Sequence, residues 1–110
     1  MQIKTYDKQG AAVFELAGRI DSAGAVELDQ ALHAGSAEGK HKVILDMGGV
    51  SYINSAGLRT LADILTRNQA NGGGLRLVGL NPKVERVFKI IGFDKFFEAY
   101  GSVDAALTNF

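Results

Sequence analysis

The chain has 110 residues, with 12 Lys and Arg against 12 Asp and Glu, and no cysteine or tryptophan. The length fits a single domain covering residues 1–110, since compact domains most often run to about 100–150 residues. The missing cysteines exclude a disulfide, a thiolate metal site and a thiol nucleophile. The formal net charge of zero argues against a general nucleic-acid binder, which needs excess Lys and Arg to displace counterions. No apolar run approaches the ~20 residues that span a bilayer, and residues 1–7 alternate polar and apolar with no signal core. The expected compartment is the cytoplasm, with neither membrane nor nucleic acid as a partner.

Residues 2–6 and 11–17 read as two strands joined by the tight-turn candidate Asp7-Lys8-Gln9-Gly10, an antiparallel hairpin. Residues 18–22 read as a loop in which Asp21 or Ser22 caps a helix. Ala25, Leu28, Ala31 and Leu32 give that helix one apolar face, and Gly35 is expected to stop it. The apolar run 42–47 reads as a central parallel strand buried on both faces. Gly48-Gly49 is expected to break it, leaving 50–53 as an extended connection.

Asn54-Ser55 opens the strongest helix of the chain. Leu58, Leu61, Ala62 and Leu65 recur at helical spacing on one face. Asp63 precedes Arg67 by four residues, the favourable order for an ion pair along a helix, and Asn71 with Gly72-Gly73-Gly74 ends the element. Residues 75–80 form the next strand. Asn81 caps a third helix with Pro82 at its first position, where a missing N–H is harmless. Its apolar face is Val84, Val87, Phe88 and Ile91. Gly92 suits a left-handed helix terminus, with Phe93 folding back on the last turn. Residues 96–100 read as a short last strand, and Ser102 caps a final helix over 103–107. The order β-β-α-β-α-β-α-β-α implies an α/β fold: a mixed, mainly parallel sheet of about five strands, an N-terminal antiparallel hairpin and four helices.

Enzyme signatures are missing. His33 and His41 read as lone surface histidines, because a metal site needs clustered ligands. There is no Gly-x-Ser-x-Gly elbow and no Gly-x-x-x-x-Gly-Lys-Ser/Thr phosphate loop. Gly72-Gly73-Gly74 follows a helix instead of preceding one, so it reads as a turn. Asp46, at the end of a central strand, has the place of a phosphoacceptor. That chemistry also needs Mg²⁺ held by further carboxylates, and the first strand ends in Tyr6-Asp7 with no acidic pair. Asp46 is therefore expected to order the glycines after it through backbone amides. No metal, no cofactor and no catalytic residue is expected.

Ser55, at the entry of a helix and two residues before Gly57, reads either as a helix cap or as a hydroxyl on open backbone that a partner can approach closely. The stretch around it resembles the STAS domains of the anti-sigma factor antagonists. Their pattern is an apolar strand, Asp-Leu, then Val-x-Phe/Tyr-Ile/Met-Asp-Ser-Ser/Ala-Gly-Leu and an amphipathic helix. This chain has Val43-Ile44-Leu45-Asp46-Met47, then Val50-Ser51-Tyr52-Ile53-Asn54-Ser55-Ala56-Gly57-Leu58. Leu16-Ala17-Gly18-Arg19-Ile20-Asp21 matches the family's Leu-x-Gly-x-Leu/Ile-Asp, and Ile91-Gly92-Phe93 matches its late Gly-Phe segment.

The resemblance implies partner switching without enzymatic activity. Ser55 matches the family's phosphorylatable serine, and Asp21 matches an acidic residue of the partner face. The unmodified protein would sequester an anti-sigma factor that is itself a serine kinase, freeing a sigma factor. The kinase would then phosphorylate the serine and let go, and a PP2C-type phosphatase would reset it. The implied partner face comprises Asp21, Ser22, Asn54, Ser55, Ala56, Gly57, Arg59, Thr60 and Asp63. Asn54 stands where many members have Asp. The alternatives are a STAS accessory subunit of a transporter or lipid-export complex, in which Ser55 is never modified, and a small-nucleotide sensor.

Overall fold

The computed structural model describes residues 1–110. Strands β1 (Gln2–Lys8) and β2 (Ala11–Ile20) form the expected antiparallel hairpin. Gln9 and Gly10 carry it with φ of 50° and 82°, the two left-handed residues of a turn whose twist matches the flanking strands. Helix α1 (Ser22–Ala37), β3 (Lys42–Ile53), α2 (Ser55–Ala70), β4 (Gly74–Val78) and α3 (Pro82–Ile90) follow, then a 3-10 turn (Phe93–Lys95), β5 (Glu98–Tyr100) and α4 (Val103–Leu107). The sheet order is β1-β2-β3-β4-β5, parallel from β2 onward.

Moving one strand at a time in one direction with right-handed crossovers places every connecting helix on the same face. Accordingly Leu28 and Leu32 of α1, Leu61 and Ile64 of α2 and Val84 and Phe88 of α3 share one core with Phe14, Leu45 and Leu77 of the sheet. Helix α4 follows the last strand and turns back under the other face, where Ala106 packs with Val13, Ile44 and Val78. No helix is long and apolar enough to cross a membrane.

Four sequence expectations are corrected. Gly48-Gly49 does not break the central strand, because β3 continues to Ile53. At Gly49 a Cβ would lie 2.9 Å from both Ala17 Cβ and Leu16 O, so this glycine permits close strand approach across an irregular register instead of a turn. The bulge lengthens β2 as well, and residues 18–20 belong to that strand instead of a loop. Gly35 does not end α1, which runs to Ala37. A Cβ at Gly35 would touch the Phe14 ring at 3.4 Å, so it lets the helix lie close to the sheet, and Gly39, at φ +81°, takes the left-handed position beyond. The last strand is three residues long, because Phe93, Phe96 and Phe97 stack edge-on or tilted in the turn before it.

The third helix starts as expected: Asn81 Oδ1 accepts from Val84 N at 2.9 Å, and Asn81 Nδ2 donates to Val50 O at 2.7 Å, tying α3 to β3. It ends at Ile90, so Ile91, expected on its apolar face, is an exposed C-cap instead. Asp46 also plays its expected part, its Oδ1 accepting from Gly48 N at 3.0 Å.

Arg76 of β4 fastens the end of the chain. Its Nη1 donates to Ala106 O and Thr108 O, both at 2.8 Å, and its Nη2 to Asn109 O at 3.0 Å. The guanidinium also lies 4.3 Å from the centre of the Phe110 ring. Hydrogen bonds from a charged donor contribute about 1.5–3 kcal/mol. Arg76→Ala should therefore cost about 2 kcal/mol and lower the melting temperature by roughly 8–12 °C, measured by thermal denaturation.

Candidate partner-binding site

Strands β2 and β3 end in register, Ile20 opposite Ile53, and Asn54 N donates to Ile20 O at 3.0 Å. Each strand then enters a helix through one polar cap. Asp21 Oδ1 accepts from Gly24 N at 2.9 Å to start α1, and Asn54 Oδ1 accepts from Gly57 N at 3.1 Å to start α2. The two caps are neighbours: Asn54 Nδ2 donates to Ser22 Oγ at 3.4 Å. Two helix N-termini thus lie side by side at the carboxyl edge of the sheet, where parallel α/β folds place their sites.

The capping reading of Ser55 is overturned. Asn54 is the cap and Ser55 is the first helical residue, exposed, with its Oγ in no hydrogen bond. Asn and Ser cap about equally well, so adjacent candidates are settled by register. The register follows from Gly57: a Cβ there would lie 2.6 Å from Ile20 Cγ2, 2.8 Å from Ile53 Cγ1 and 3.1 Å from Ile20 O. The first turn of α2 is therefore pressed against the end of β2, with Gly57 inward and Ser55 outward. Asn54→Ala should remove the cap, cost about 1 kcal/mol and lower the melting temperature by about 4–8 °C. Asn54→Asp should restore it, as a melt of the two variants would show.

The remaining predicted residues divide by exposure. Asp21 and Asn54 are half-buried caps. Ser22, Ser55, Arg59 and Asp63 are exposed, Ala56 and Thr60 are partly buried and Gly57 is buried. Ser22, Ala56, Arg59, Thr60 and Asp63 line a groove of about 260 Å³ between α1 and α2, and Ala25, Val26 and Asp29 of α1 complete it. Val26 and Asp29 were not anticipated. Val26 lies off the apolar stripe of α1 and is 57% exposed.

The expected Asp63–Arg67 pair does not form. Arg67 Nη1 donates instead to His33 Nε2 at 2.6 Å, and His33 Nδ1 lies 3.2 Å from Asp29 Oδ1. His33 is thus a bridge between helices instead of a lone surface histidine. Around the rim, the Arg19 guanidinium lies over the Tyr52 ring, 4.1 Å from its centre. No three acidic or histidine side chains come together as a metal-holding group.

The profile of the STAS domain matches residues 2–106. This chain belongs to the STAS domain family. A relative from Bordetella bronchiseptica, the putative anti-sigma factor antagonist BtrV, is 37% identical over 96% of this chain and 92% of its own. The crystal structure of an anti-sigma factor antagonist from Mycobacterium paratuberculosis is similar at a TM-score of 0.87 and 30% identity, covering 97% of this chain and 91% of that one. The crystal structure of a putative anti-sigma factor antagonist from Thermotoga maritima shares the fold at a TM-score of 0.91 with 21% identity, over 96% and 92% of the two chains. Within this STAS domain, Asn54 gives the capping position a donor, Nδ2, that the carboxylate of an ionised Asp would lack.

Proposed function

We propose that this STAS domain is an anti-sigma factor antagonist that works by partner switching. It binds an anti-sigma factor while Ser55 is unmodified, and phosphorylation of Ser55 releases that partner. The observation that carries this reading is the Ser55 hydroxyl: exposed, relieved of capping by Asn54, and set on the edge where two helices begin. A hydroxyl held in a cap would lose its hydrogen bond on modification, whereas this one loses none. The names of the curated relatives support the same reading.

The anti-sigma factor is a serine kinase in this scheme. Ser55 Oγ attacks the γ-phosphorus of its ATP, an O–P bond forms as the bridging P–O bond breaks, ADP leaves and the hydroxyl proton passes to solvent or a kinase base. A PP2C-type phosphatase hydrolyses the ester. The domain supplies surface and acceptor, is not itself an enzyme, and acts in the cytoplasm as a single unit over residues 1–110.

Magnitudes favour a local switch. The added phosphate carries roughly −1.5 to −2 charges. Beside a helix N-terminus this is favourable by about 0.3–1 kcal/mol, so the fold tolerates it. An unpaired charge buried in an interface costs about 3–5 kcal/mol, a hundred- to thousandfold in affinity or more. The interface effect is the larger, and release requires no unfolding. The test is a pull-down with the unmodified domain from its native cell. Recovery of a sigma-factor-binding serine kinase is expected, and recovery of a transporter assembly alone would contradict the reading.

A further inference from the structure

We propose that Arg59 is the built-in counter-ion of phosphorylated Ser55, and that phosphorylation draws it out of the groove between α1 and α2. The inference rests on the reading of Ser55 as the acceptor.

Residues four apart on a helix stand one above the other, with Cβ atoms about 5–6 Å apart. Ser55 and Arg59 are so placed on α2, both exposed. A negative group N-terminal to a positive one is the favourable order, and the phosphate at the first helical position also complements the positive end of the helix dipole. The other basic side chains nearby are already engaged: Arg67 donates to His33 Nε2, and Arg19 is stacked on Tyr52. Arg59 takes part in no ion pair and no side-chain hydrogen bond, although it shares the groove with Asp29 and Asp63. It is a long, charged side chain without a fixed partner, one turn below the hydroxyl.

A phosphate on Ser55 supplies that partner. Its three oxygens and near-double charge suit a guanidinium fork better than a single carboxylate does. When Arg59 turns up to it, the groove loses its one cation and keeps Asp29 and Asp63. Modification of one hydroxyl therefore changes two places on the partner face: phosphate appears at the helix entry, and the groove beside it becomes purely acidic.

The experiment installs phosphoserine at position 55 by genetic encoding, so that it does not depend on any kinase. The second phosphate pKa is then followed by ³¹P NMR in the wild-type background and in Arg59→Gln and Arg59→Lys. A paired guanidinium favours the dianion, so the wild-type value should lie about 0.2–0.4 unit below that of Arg59→Gln, with Arg59→Lys in between. Asp21, Asp29 and Asp63, the carboxylates around this face, are present in all three proteins and do not alter the comparison. The Arg59 Nε–H resonance of the wild-type phosphoprotein should shift with the same titration midpoint, a readout that needs no variant. Equal second pKa values in wild type and Arg59→Gln, with Arg59 Nε–H unmoved by phosphate, would overturn the pairing. That result would leave Ser55 as acceptor intact, whereas failure of a kinase to modify Ser55 would leave the pairing chemistry intact.

Discussion

Replacing Ser55 by Asp should weaken binding of the anti-sigma partner a hundred- to thousandfold while leaving the fold as stable as before. The affinity loss follows from a charge carried into an interface that accepts a small neutral side chain, at about 3–5 kcal/mol when unpaired. The stability follows from the first turn of α2, which has no acidic residue and is capped by Asn54. An acid there gains about 0.3–1 kcal/mol from the helix dipole, so the melting temperature should hold or rise by a few degrees. Ser55→Ala should bind like wild type and melt within about 2 °C of it, because no cap is lost; a capping serine would instead have cost about 0.5–2 kcal/mol. The measurements are a titration of the partner and a thermal melt. Equal affinity for the Ala and Asp variants would remove the switch.

Gly57→Ala should cost both stability and binding. The new Cβ would meet Ile20 Cγ2 at 2.6 Å and Ile53 Cγ1 at 2.8 Å, carbons next to the Cβ of two buried, β-branched side chains with little room to move. It would also lie 3.1 Å from Ile20 O, which is held by Asn54 N and cannot retreat without loosening the end of β3. Overpacking of this kind costs about 1–3 kcal/mol, and the better helix propensity of Ala returns at most about 1 kcal/mol. A net loss of about 1–2 kcal/mol lowers the melting temperature by roughly 4–12 °C. Because relief comes by lifting the first turn of α2, partner affinity should fall too. An unchanged melt with unchanged affinity would show that this close approach does not position the site.

The same contacts explain what was legible in the sequence. The hairpin and α3 were readable because their signals are local: Gly10 for a left-handed turn, Asn81 and Pro82 for a helix start. The residues that the motif around Ser55 singles out are spatial neighbours: the structure brings Asp21, Ser22, Asn54 and Ser55 to one edge. What failed was set by tertiary approach. Gly48-Gly49 has the composition of a break, yet the need for space against Ala17 keeps it inside a strand. Asn54 and Ser55 are interchangeable as caps on local grounds, and only the packing of Gly57 on Ile20 decides between them. Arg67 has a suitable partner four residues earlier, but His33 arrives from another helix and takes it. Val26 and Asp29 join the site only because α1 lies beside α2, a neighbour relation that no spacing within one helix encodes.

The central claim is that the free hydroxyl of Ser55 is the switch. It is tested most directly by incubating the domain with its cognate anti-sigma kinase and ATP and mapping the phosphate by peptide mass spectrometry. One phosphate on Ser55, absent from Ser55→Ala and accompanied by release of the kinase, is the predicted result. Phosphate on Ser22, Ser51 or Thr60, or undiminished labelling of Ser55→Ala, would contradict it.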